Sequence, residues 1–140
     1  PQPHGWAPFA LGFRPFFLAA GMYAVLLMGL CLLMLRGTIV PTGVSPFVWH
    51  GHEMLFGFAV AVIAGFLLTA AQNWTGIRTP SGATLAALFL LWLAGRIGFL
   101  IPGLPALSVA AVDLAFLPVL GLTLAWPIIR VSDVTRPWLS

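Results

Sequence analysis

Residues 16–35 read FFLAAGMYAVLLMGLCLLML, an apolar run without a charged side chain. A helix rises ~1.5 Å per residue, so a run of this length crosses the ~30 Å hydrocarbon core of a bilayer. Pro15 suits the first helical turn, where its missing N–H costs nothing. Arg36-Gly37 ends the run, with Gly37 suited to a left-handed cap. The first segment is therefore expected over about 15–35.

Three further segments follow, over about 46–71, 83–101 and 109–129. Ser45-Pro46 reads as an N-cap followed by the first helical position. Gln72-Asn73-Trp74-Thr75-Gly76 marks an exit into an interface. Ser108 reads as the N-cap of the fourth segment. Pro118 should bend that segment, and Pro127 falls near its end. Pro102-Gly103-Leu104-Pro105 makes the last two segments a tight hairpin. The expected fold is all-α: a polytopic, four-transmembrane-helix bundle forming one membrane domain over 1–140.

Composition supports this class. Hydrophobic types make up 61% of the 140 residues and charged types 6%, against roughly 25% charged in a soluble domain. All six cations are Arg, set singly along the chain, so no clustered nucleic-acid footprint is present. Cys31 is the single cysteine, which rules out an intrachain disulfide. The sequence begins Pro1-Gln2-Pro3 without a signal-peptide pattern, and reads as a processed or partial chain.

Four helices place Arg14, Arg78, Arg130 and Arg136 on one side and Arg36 alone on the other. The positive-inside rule then puts both termini in the cytoplasm. Trp49, Trp74, Trp126 and Trp138 fall near helix ends, where an aromatic belt is expected. Trp6 lies in a short stretch, 4–14, expected along the membrane surface.

This topology gathers the ionisable groups of the spans at one depth. His50, His52 and Glu53 begin the second segment at the outer side. Arg96 lies roughly 7 Å below the outer end of the third, and Asp113 is similarly shallow in the fourth. Charges are costly in lipid and should pair or face a wet cavity. Arg96 and Asp113 read as a structural ion pair, or alternatively as part of a substrate or proton path. Trp92, one turn before Arg96, is placed to stack on its guanidinium.

On a regular helix His50, Glu53, Gly57, Ala61 and Ala64 share one face, with Gly65 at its margin, while His52 points roughly the opposite way. Gly57, Ala61 and Gly65 form a small-residue series that admits another helix closely. His50 and His52 read either as interfacial caps or as metal or haem ligands, with Glu53 as a supporting acceptor. Cys31, Met34 and Met54 are soft donors at similar depth, a Cu(I)-type set when taken with the histidines, or else packing. His4 lies on the other side. No Gly-rich phosphate loop and no paired-carboxylate spacing is present.

Two stretches carry a resemblance. One is Leu11-Gly12-Phe13-Arg14-Pro15-Phe16-Phe17-Leu18. The other is Trp49-His50-Gly51-His52-Glu53-Met54-Leu55-Phe56-Gly57-Phe58, continuing through Gly65-Phe66-Leu67-Leu68-Thr69-Ala70 to Asn73-Trp74-Thr75-Gly76. Leu91-Trp92-Leu93-Ala94-Gly95-Arg96 and Asp113-Leu114-Ala115-Phe116-Leu117-Pro118 add to it. Together they resemble the NnrS family of bacterial inner-membrane proteins linked to nitric oxide and denitrification. The resemblance implies a haem- and copper-containing protein, of which this chain would be the N-terminal third. It implies His50 and His52 as haem or copper ligands, Glu53 as their support, and Arg14 or Arg96 as partners of haem propionates.

Three functions follow as expectations. The first is a haem/copper membrane protein of nitric oxide response or protection. The second is an accessory transmembrane subunit that docks on other helices of a larger complex through the small-residue face of 57–65. The third is a transporter fragment whose path Glu53, Arg96 and Asp113 would line. The lipid bilayer is the expected environment, and nucleic acid is not an expected partner.

Overall fold

The computed structural model describes residues 13–40 and 43–134, which form four helices joined by short loops. Helix α1 spans Phe13–Leu35 and α2 spans Pro46–Thr75. Helix α3 spans Ala83–Gly98 and α4 spans Ala106–Val134. No strand occurs among the described residues.

Helices α1, α2 and α4 are long and apolar enough to cross a membrane. Helix α3 is apolar but has 16 residues. That length rises only ~24 Å, short of the ~30 Å core. The third span, expected to reach residue 101, is thus shorter than the other three.

Local chemistry sets the ends. Ser45 accepts from the Val48 N–H at 3.3 Å, and Pro46 takes the first helical turn of α2. Gly37 and Gly76 adopt φ of 73° and 68° and close α1 and α2. The Thr38 N–H reaches back to the Leu33 carbonyl, satisfying an end group that lipid could not. Ser108 is not the cap of α4. The helix already begins at Ala106, and the Ser108 hydroxyl donates back to the Pro105 carbonyl. Helix α4 also runs on past Pro127, so that proline lies inside it rather than near its end.

Packing separates lipid-facing from inner positions that hydropathy alone cannot distinguish. On α1, Phe16, Ala20, Tyr23, Leu27, Cys31 and Met34 are buried. Their three- and four-residue spacing makes one inward stripe. Met22, Val25, Leu26 and Met28 face outward. The stripe meets α2, where Gly65 lies against Phe16 and Gly57 against the Tyr23 ring. The small-residue face of 57–65 therefore receives α1 of the same chain, which corrects the expectation that it serves a foreign helix.

The α3–α4 hairpin closes in the same way. A Cβ at Gly95 would come within 3.1 Å of the Asp113 Cα, and one at Gly98 within 3.2 Å of Val109. Gly95→Ala should push the two helices apart and cost about 1–3 kcal/mol. Thermal unfolding in detergent checks this, and an unchanged midpoint would contradict the close approach.

Trp74 is exposed at the end of α2, as an interfacial belt requires, and Trp126 is exposed two turns before the end of α4. Trp49 departs from that expectation, being 1% exposed and part of the core. Trp6, Trp138, Arg136 and His4 lie outside the described residues.

Candidate functional site: a buried ionic cluster at one end of the bundle

The site begins with a break in helical regularity. Within α2, residues Glu53–Ala59 are π-helical, and the Val60 N–H bonds to the Leu55 carbonyl, five residues back. A π turn takes in one more residue than an α turn. That extra residue rotates everything upstream by roughly 100° relative to the regular helix. The rotation brings Trp49 and His52 to the inner face and moves His50 aside. It overturns the expectation that His52 points away from Glu53.

Five side chains from all four helices then converge. Glu53 is wholly buried and Arg96 and Asp113 nearly so. The His52 ring bridges the two carboxylates, with Nδ1 3.0 Å from Glu53 Oε1 and Nε2 2.9 Å from Asp113 Oδ2. The Arg96 guanidinium bridges them from the other side. Its Nε lies 2.6 Å from Glu53 Oε2, and its Nη2 pairs with Asp113 Oδ1. The Nε contact is one of charge, because the N–H itself is not aligned on the carboxylate. The Tyr23 hydroxyl donates to Glu53 Oε2 at 2.5 Å.

The π segment also supplies acceptors. Arg96 Nη1 donates to the Phe56 carbonyl at 2.7 Å, and Trp92 Nε1 donates to the Gly57 carbonyl at 3.1 Å. A widened turn frees backbone oxygens that an α-helix would use internally, and here α3 uses two of them. Trp92 also lies beside the guanidinium, 5.9 Å from ring centroid to Arg96 Cζ, and stands edge-on to Tyr23. Phe56 stacks on the His52 ring at 4.7 Å, with Phe99 tilted against it at 5.0 Å. His52, at 26% side-chain exposure, is the least buried of the four ionisable side chains His52, Glu53, Arg96 and Asp113.

The charge balance suits a low-dielectric setting. Two carboxylates face one guanidinium and one imidazole. Each ring nitrogen is turned to a carboxylate oxygen, so the ring ties Glu53 to Asp113. The cluster can hold four helices in fixed register because every carboxylate oxygen has a partner.

The remaining candidates separate. His50 is half-buried, and its Nδ1 is buried without a hydrogen-bond partner. Met54 is 46% exposed, whereas Cys31 and Met34 lie in the inner stripe of α1. Among the described residues, no three His, Cys, Asp or Glu are arranged to hold a metal ion. Arg14, half-buried, begins α1 at the opposite end from Arg96. Ala61 and Gly65 are buried in the α1–α2 contact, below the cluster. Sequence reasoning passed over Tyr23. The signal was present, since a lone tyrosine inside an apolar span needs a partner for its hydroxyl.

Spanning helices that bury a closed set of charges define a polytopic membrane protein. The NnrS protein family model matches residues 7–139, and the chain belongs to that family. Family membership points to a nitric oxide-related membrane protein. No curated protein and no solved structure matches the chain.

Proposed function

We propose that this chain is part of a haem- or copper-associated protein of the bacterial inner membrane, acting in the response to or protection from nitric oxide during denitrification. The family match over residues 7–139 carries this reading. The apolar spans support the membrane setting, and Arg14 at the start of α1 with Arg130 toward the end of α4 supports cytoplasmic termini.

The donor set narrows what the chain would contribute to a cofactor. His50, His52 and Met54 do not fit a single copper site. Both His52 nitrogens are taken by carboxylates, and Met54 faces outward. His50 alone keeps a buried, unpartnered ring nitrogen, so haem iron or copper would be held through His50. Such a group supplies a metal centre at which nitric oxide can bind. The chain's own part is to present His50 beside a rigid, fully paired cluster. The π segment fixes that presentation, and Glu53, Arg96 and Asp113 hold it in place.

The test is the absorption spectrum and metal content of the purified full-length protein. His50→Ala should remove the bound haem or copper. His52→Ala should retain it while lowering the thermal midpoint. A colourless, metal-free preparation would overturn the reading. Loss of cofactor in His52→Ala but not in His50→Ala would overturn the assignment of the donor.

A further inference from the structure

The end of the bundle opposite the ionic cluster holds an unfilled space. Between the start of α3 and the second half of α4 lies a groove of about 230 Å³ lined by Thr84, Ala87, Leu88, Leu91, Val119 and Thr123. Of its two hydroxyl residues, Thr123 turns its hydroxyl to the Val119 carbonyl at 2.7 Å. Pro118 interrupts the bonding of α4 beside it.

The hairpin register sets what lies beyond the groove. Gly95 sits on Asp113 and Gly98 on Val109. Helix α3 begins at Ala83, while α4 continues to Val134. The last turns of α4 therefore extend past the start of α3. Seven residues beyond Thr123, roughly 10 Å along the axis, Arg130 lies over the Trp126 ring at 4.3 Å. Trp126 is 59% exposed, as at the headgroup level of a bilayer. The exposed Arg78 lies in the loop leading into α3. Arg14, in the first turn of α1, adds a further cation at this end.

We propose that the α3–α4 groove binds an anionic phospholipid, with one acyl chain between Ala87 and Val119 and the phosphate at Arg130. The lining is mainly apolar, which suits an acyl chain better than a polar solute. The cation set one headgroup's depth above it selects negative charge. A basic pocket between membrane helices is the setting in which acidic lipid headgroups are held. The site is independent of the cofactor reading, because it lies at the other end of the bundle.

Native mass spectrometry of the full-length protein, extracted from vesicles of phosphatidylglycerol and phosphatidylcholine in equal amounts, tests this. Retained phosphatidylglycerol should exceed phosphatidylcholine by roughly fivefold, the ratio one arginine contact supplies. Arg130→Gln should bring the two lipids to parity. Ala87→Trp should fill the groove and remove both lipids, with the thermal midpoint in lipid-free detergent unchanged. Should Ala87→Trp fail to fold, Val119→Phe serves as the second filling variant. Equal retention of the two lipids by the wild type would overturn the proposal. So would undiminished retention in a folded groove-filled variant. A dimer mass that disappears in that variant would assign the groove to a second copy and overturn it as well.

Discussion

Arg96→Met should destabilise the bundle by about 3–5 kcal/mol, the cost of leaving buried charge without its partner. The guanidinium reaches Glu53, Asp113 and the Phe56 carbonyl, so one substitution unpairs groups on α2 and α4 together. Lipid offers these groups no water in exchange. Most of the loss should come from the two stranded carboxylates rather than from the missing attraction. Adding Glu53→Gln and Asp113→Asn to Arg96→Met should therefore recover much of it. Both replacements keep side-chain shape, which matters because Gly95 packs directly on Asp113. Thermal unfolding in detergent across this series reads the effect. A single variant as stable as the wild type would show that the cluster does not hold the bundle together.

Deleting Leu55 should be tolerated, while deleting Ile63 should abolish assembly. Leu55 is an outward-facing residue of the π segment, and Ile63 an outward-facing residue of the α-helical part. Removing one residue from a π turn restores α geometry and leaves the flanking faces aligned. Trp49 and His52 would stay on the inner face. The cost would be the bonds from Arg96 and Trp92 to the Phe56 and Gly57 carbonyls, about 2–4 kcal/mol together. Removing Ile63 instead rotates the whole upstream half of α2 by roughly 100°. That turns Glu53, Gly57 and Trp49 out of the core at once. The recovery of monodisperse protein and its thermal midpoint distinguish the two deletions. Equal failure of both would contradict the π register.

The rest of the architecture was legible to very different degrees. Spans were readable because lipid demands long apolar helices, and 16–35 leaves no alternative. Ends were readable where a specific residue satisfies the backbone, as at Ser45-Pro46, Gly37 and Gly76. Ser108 misled because a serine hydroxyl can also bond back to a carbonyl within its own turn, here that of Pro105. The common depth of 50–53, 96 and 113 follows from alternating helix direction alone. The identity of the inward histidine does not. It depends on one extra residue in the turn after His52, and nothing in Met54-Leu55-Phe56 announces that turn. The same rotation buries Trp49, which its position near a helix end marked for the interface. The inner stripe of α1 was equally hidden, because its lipid face and its core face are both apolar.

Solid-state NMR of the full-length protein in lipid, with labelled histidine and aspartate, tests the central claim most directly. That claim is a π-registered cluster in which His52, and not His50, bridges Glu53 and Asp113. The 2.9 Å approach of His52 Nε2 to Asp113 predicts a strong coupling between histidine ring nitrogen and aspartate carboxyl carbon. It should survive His50→Ala and vanish in His52→Ala. A coupling that vanishes in His50→Ala and persists in His52→Ala would place the regular-helix face inward and contradict the account.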